Sequence, residues 1–187
     1  MKTELLIITA LESELKRDAL PTGVNIVYSG IGKINAALST MQAIAELQPK
    51  RIVNFGTAGK VNLQVEGLLE IARVIQRDMQ TEPLAPRGRT PFCPKPYEYH
   101  ASSGIYVCGT GDSFVTGLDP WLHEQKVDVV DMELFAIAAV AHEHNIPWRS
   151  FKYITDDANE NAGNEWQKKV NHGQALFLEQ LNKLVQH

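Results

Sequence analysis

Short apolar runs that read as buried strands alternate along this chain with segments whose apolar residues recur at the helical period. That alternation narrows the fold more than any other feature. Residues 5–9 and 24–28 are strand-like. Gly30, Gly32 and Lys33 then lead into a helix whose Ile34, Ala37, Leu38, Met41, Ile44 and Ala45 keep a helical period until Pro49 stops it. A strand over 51–55 runs into Gly56-Thr57-Ala58-Gly59, which reads as a turn. Further strands are expected at 71–75, 105–108, 127–130 and 148–154, with a helix over 132–142 and a C-terminal helix over 165–185. Strands alternating with helices through short loops predict an α/β fold: a single domain over 1–187 with a central, largely parallel or mixed sheet flanked by helices. Residues 80–103 break the pattern, because Pro83, Pro86, Pro91, Pro94 and Pro96 forbid a long helix; they read as a loop excursion of the kind that often covers a ligand.

Composition removes several function classes. A chain of 187 residues with 44% hydrophobic and 21% charged residues has enough apolar surface for a core without staples. A formal charge of −4 carries no electrostatic footprint for nucleic acid or an anionic membrane surface. No apolar stretch approaches the ~18 residues of a membrane span, and the first apolar run is cut short by Glu12, Glu14 and Lys16, unlike a signal peptide. Cys93 and Cys108 form no CxxC pair, which fits a reducing compartment; a cytoplasmic, unprocessed protein is expected. His142 and His144 stand two apart on a helix and so point to different faces, and no metal or organic cofactor is expected. Gly30-x-Gly32 resembles a dinucleotide loop, but Asn35 replaces its third glycine.

Ligands of open α/β sheets gather at the carboxyl ends of strands. Those ends carry Glu12 and Glu14, then Thr57, then Gly111-Asp112-Ser113-Phe114-Val115, Asp131-Met132-Glu133, and Thr155-Asp156-Asp157. Glu133 is the least ordinary of the acids, because it opens a helix, 134–141, that is apolar all round. It reads either as a dipole-stabilising cap, as does Asp131, or as an acceptor for sugar hydroxyls. Asp156 and Asp157 read as turn caps, as partners of Lys152, or, if buried, as a general acid. Glu12 and Glu14 read as first-turn helix acids, of which only one can face a given pocket.

Taken in order, these segments resemble the purine nucleoside phosphorylase/nucleosidase superfamily, and most of all the methylthioadenosine/S-adenosylhomocysteine nucleosidases. Ala10-Leu11-Glu12-Ser13-Glu14 is similar to the family's Ala-Met-Glu-x-Glu, and residues 29–37 are nearly its Ser-Gly-Ile-Gly-Lys-Val-Asn-Ala-Ala. Asn54-Phe55-Gly56-Thr57-Ala58-Gly59, Gly111-Asp112-Ser113-Phe114-Val115, Val130-Asp131-Met132-Glu133 and Lys152-Tyr153-Ile154-Thr155-Asp156 follow in family order. The resemblance implies that Glu14 activates a water and Asp156 protonates N7 of a leaving adenine. It implies that Met132 and Glu133 hold the ribose, that Phe114 packs on the base and Val115 reads its edge, and that Thr57 and Thr155 belong to the substrate-binding set. It also implies a homodimer. The expected reaction is hydrolysis of the N-ribosyl bond of a 5′-modified adenine nucleoside, releasing adenine by the logic of paired carboxylates. A phosphate-using phosphorylase is the alternative; Glu14 opposes it by its charge, and Arg17, one turn away, leaves it open. Two further readings are a serine esterase built on Gly111-Asp112-Ser113, which lacks the Asp-x-x-His such enzymes carry, and a non-catalytic nucleoside-binding protein. Departures from the family pattern include Thr57 for Ser, Leu11 for Met, Lys152 for Arg, and a shortened stretch between Val61 and Ile105.

Overall fold

A computed structural model describes residues 3–160 and 162–185. Strands β1 (Leu5–Thr9), β2 (Asn25–Tyr28), β3 (Arg51–Lys60), β4 (Leu68–Gln76), β5 (Glu98–His100), β6 (Tyr106–Thr110), β7 (Val129–Asp131) and β8 (Trp148–Asp156) form one mixed sheet. Helices α1 (Lys33–Leu47), α2 (Pro120–Glu124), α3 (Leu134–Glu143), α4 (Ala162–Lys169) and α5 (Gln174–Val185) flank it. The strands run in the order β2-β1-β3-β7-β6-β4-β5, and β8 pairs with both β3 and β4. Strands β3, β7, β6, β4 and β8 therefore close into a ring. Strands β1, β2, β3 and β8 run parallel to one another, as do β4, β6 and β7; the two sets meet antiparallel at β3–β7 and β4–β8, and the pairing of Gly59 with Val130 sets the carboxyl end of β3 beside that of β7.

Two cores hold the layers. On one face Leu6, Ile8, Ile52, Ile71 and Val74 pack against α1 and α3. On the other, Ile7, Val53, Phe55 and Phe151 pack against Phe177 and Leu181 of α5, with the Phe55 and Phe177 rings stacked at 4.4 Å.

Several elements differ from the sequence expectation. Gly56-Thr57-Ala58-Gly59 is not a turn: β3 runs straight through it to Lys60. Its glycines serve close approach instead, since a β-carbon on Gly56 would lie 3.3 Å from Lys152 Nζ and one on Gly59 would overlap Asp156 Oδ1. The C-terminal helix is two helices, α4 and α5, separated at Gly173, whose missing side chain makes room for the Tyr153 ring. No α-helix follows β1; only a 3-10 turn, Arg17–Ala19, does, so Glu12 and Glu14 are loop residues. Within the Pro-rich stretch, β5 adds an antiparallel edge strand to β4. Helix α2 is signalled by Asp119 before Pro120, with the Asp119 side chain accepting from Trp121 N. Finally, α1 does not bury one continuous apolar stripe: Ala36, Thr40, Ala43 and Ile44 face inward, whereas Ile34, Leu38 and Met41 point to solvent.

Candidate active site

The carboxyl ends of β1, β3, β7 and β8 surround a cavity of about 220 Å³. Its walls bring together every site residue expected from the sequence: Glu14, Thr57, Phe114, Val115, Met132, Glu133, Thr155 and Asp156. Glu12, Asp112 and Asp157 do not line it. Glu12 is exposed, Asp112 accepts from Lys33 N, and Asp157 pairs with Lys60 at 3.2 Å.

Glu14 is buried in the loop after β1 and takes a donor on every side. Its Oε2 accepts from Thr9 Oγ1 at 3.1 Å and Leu11 N at 3.0 Å, and its Oε1 from Thr57 N at 2.9 Å and Thr57 Oγ1 at 2.8 Å. Arg17 lies outside the cavity over the Tyr28 ring, its guanidinium donating to Ile26 O.

Asp131 and Glu133 divide the roles that the sequence left open. Asp131 is the cap, its Oδ2 accepting from Leu134 N at 2.9 Å and its Oδ1 from Thr110 Oγ1 at 2.5 Å. It also pairs at 2.7 Å with Lys152, both side chains being only 1% exposed. Burial opposes the charge of each, but their mutual attraction outweighs it, holding Asp131 below and Lys152 above its ordinary pKa. Lys152 therefore serves Asp131 rather than Asp156 or Asp157. Glu133 makes no cap hydrogen bond to its own helix. Its Oε1 accepts from Gly32 N at 2.9 Å, across the cavity at the start of α1. Burial, then the neighbouring Asp131 charge, raise its pKa to about 7 against the pull of Lys152 and the Gly32 N–H.

Asp156 reaches the cavity through a bulge. The β3–β8 register pairs Ala58 with Ile154 and Gly59 with Asp156, leaving Thr155 as the extra residue. Thr155 Oγ1 donates to Asp156 Oδ2 at 2.9 Å, and Ala158 N donates to Oδ1 at 3.1 Å. Burial raises the Asp156 pKa over these bonds, and Glu165 and Asp157 add to the rise. A buried acid that keeps its proton longer than usual suits proton donation.

Two residues were not expected. Arg77, just after β4, is buried and grips the loop that follows β6: it donates to Gly109 O at 3.2 Å, Gly111 O at 2.9 Å, Ser113 Oγ at 3.2 Å and Ser113 O. A β-carbon on Gly111 would lie 2.9 Å from its Cζ, the one local trace of this packing in the sequence. Trp166 of α4 walls the cavity and donates from Nε1 to Thr57 Oγ1 at 2.9 Å. Nothing in sequence spacing ties it to Thr57. Ser113 has Arg77 as its partner and, among the described residues, no histidine lines the cavity, so the geometry gives no support to a serine esterase. Among the described residues no cluster of histidine, cysteine, aspartate or glutamate has metal-holding geometry.

Comparison with known proteins agrees with this geometry. Residues 21–187 match the family model of the phosphorylase superfamily, a match that begins after Glu14. The 5′-methylthioadenosine/S-adenosylhomocysteine nucleosidase of Staphylococcus haemolyticus is 30% identical over 163 residues, covering 74% of this chain and 71% of that protein. The protein of the same name from Listeria monocytogenes serotype 4a is 33% identical over 169 residues, with the same coverage. A Helicobacter pylori MTAN mutant crystallised with 5′-methylthioadenosine in its active site superposes with a TM-score of 0.87 at 20% identity, over 100% of this chain and 99% of that one. The chain belongs to the phosphorylase superfamily and, within it, to the 5′-methylthioadenosine/S-adenosylhomocysteine nucleosidases.

Proposed function

We propose that this protein hydrolyses the N-ribosyl bond of a 5′-modified adenine nucleoside, releasing adenine, and that residues 1–187 work as one nucleosidase unit. Glu14 activates the attacking water and Asp156 donates a proton to N7 of the departing base. Glu133 accepts from the ribose hydroxyls beside Met132. Phe114 packs on the base, the Val115 backbone reads its edge, and Thr57 and Thr155 orient the two working acids. Departure of the base leaves an oxocarbenium-like sugar, so an acid on the base, an activated water on the far face and a carboxylate near the ring each lower the barrier.

The observation that carries hydrolysis over phosphorolysis is the seat of Glu14. Thr57 N, Thr57 Oγ1 and Leu11 N are the donors an anion would use at this end of the cavity, and the Glu14 carboxylate already holds all of them. A phosphate placed there meets a fixed negative charge instead of free N–H groups. Incubation with methylthioadenosine, S-adenosylhomocysteine, 5′-deoxyadenosine and unmodified nucleosides in phosphate-free buffer is expected to yield free adenine. Glu14→Gln and Asp156→Asn are expected each to lower kcat by ~10²–10⁴. Absence of base from every nucleoside, with folded protein, refutes the reading; a strict phosphate requirement makes the protein a phosphorylase.

The protein acts as a homodimer in the cytoplasm. Ile34, Leu38 and Met41 of α1 are 73%, 63% and 52% exposed, and with Ile31 they form an apolar stripe leading to the cavity mouth, which a second copy would cover. The cysteines, Cys93 exposed and Cys108 buried, are both free, as in a reducing compartment. Leu38→Glu is expected to convert the dimer to monomer in light scattering; an unchanged mass places the interface elsewhere.

A further inference from the structure

Glu14 takes four donors: two backbone N–H groups, which are fixed in direction, and two hydroxyls, that of Thr9 on the fully buried β1 and that of Thr57. The fourth, the Thr57 hydroxyl, has one proton and can rotate. Trp166 removes that freedom. An indole N–H only donates, so its 2.9 Å bond fills a lone pair of Thr57 Oγ1 and turns the hydroxyl proton away from the ring. The acceptor waiting on that side is Glu14 Oε1, at 2.8 Å.

We propose that Trp166 is a positioning residue for the hydrolytic base: through Thr57 it fixes the hydroxyl proton on Glu14, so that docking of α4 against the cavity sets the carboxylate's orientation. The inference rests on the reading of Glu14 as the base. Helix α4 is suited to such coupling. Ala162 anchors it with 1% exposure, a β-carbon on Gly163 would come within 4.0 Å of the Phe114 ring, and Trp166 reaches Thr57. One short helix thus lies beside Phe114 of the base-side loop and bonds Thr57, the residue that holds the water-side acid. Bonds in series, indole to hydroxyl to carboxylate, polarise one another, and losing the first loosens the second. A phenyl ring would keep the wall and lose the donor.

The test is a double-mutant cycle of Trp166→Phe and Thr57→Ala, with Thr57→Ser as the conservative control, read by base release and by the ¹⁵N–¹H signal of the Trp166 indole. Trp166→Phe is expected to lower kcat by about three- to tenfold with KM little changed, the scale of losing one hydrogen bond of about 1 kcal/mol. Adding it to Thr57→Ala brings no further loss, because Trp166 acts through Thr57. Thr57→Ser recovers most of the activity lost in Thr57→Ala, and the indole signal shifts in Thr57→Ala and in Glu14→Gln but not in Thr57→Ser. A change in KM alone, multiplying losses in the double mutant, or an indole signal indifferent to Glu14→Gln overturns the proposal and leaves Trp166 a wall. If the unmodified protein releases no base, the nucleosidase reading fails, and the indole signal still decides whether Trp166, Thr57 and Glu14 are coupled.

Discussion

Glu133 offers the sharpest test of how this site is built, because its chemistry and its stability cost have opposite signs. Its pKa is raised to about 7 from an ordinary 4.5, by burial first and by Asp131 second. The folded chain therefore holds the Glu133 proton more tightly than the unfolded chain does. Below pH 4.5 the group is protonated in both states and costs nothing. Between pH 4.5 and 7 the unfolded state ionises while the folded state resists, so stability falls as pH rises, and the full penalty stands above pH 7. At about 1.4 kcal/mol per pH unit the cost of the ionised carboxylate is about 3 kcal/mol. Glu133→Gln keeps an oxygen for the Gly32 N–H and removes the charge. Allowing about 1–2 kcal/mol for the desolvation of a buried amide, a cost that does not vary with pH, the variant is expected to be about 1–2 kcal/mol more stable than its parent at pH 8 and about 1 kcal/mol less stable at pH 4.5. Urea unfolding of both proteins across that range reads the effect of Glu133 with its coupled neighbours Asp131 and Lys152, since titrations elsewhere in the chain cancel in the difference. The same variant is expected to lose most turnover, having a weaker acceptor for the ribose hydroxyls. A stability difference independent of pH, or a parent more stable than the variant at pH 8, refutes the placement of Glu133 as a strained acid.

Two other substitutions probe the supports of the site. Gly59→Ala puts a β-carbon into Asp156 Oδ1 and is expected to cut kcat by at least ~10² while circular dichroism stays unchanged, since only the carboxylate has to move. Lys152→Met leaves Asp131 buried without its cation and is expected to cost about 3–5 kcal/mol in urea unfolding at neutral pH, with the loss shrinking in acid as Asp131 takes up a proton.

The sequence alone carried the α/β class, most strand positions and all the acids of the site. A strand such as 5–9 is a nearly continuous apolar run that only a sheet covered on both sides can bury, so its identity is local. The acids were legible as a set because each stands at or just after the carboxyl end of a strand, where ligands of α/β sheets gather. Their roles were not. Asp131 and Glu133 are two residues apart at one helix start, and only the approach of Lys152 to one and Gly32 N to the other makes the first a paired cap and the second a strained acceptor. Gly56 and Gly59 read as a turn because spacing cannot tell a glycine that bends the chain from one that makes room for a neighbour. The outward face of α1 was hidden for a similar reason: small residues at Ala36 and Ala43 let α3 pack on a face that looks less apolar than the one left bare. Arg77 and the Trp166–Thr57–Glu14 series were decided wholly by tertiary structure, since their partners lie more than thirty residues apart and meet only when the sheet closes. Composition and periodicity fix which side chains face inward along an element; which inward side chain touches which is set by how the elements pack.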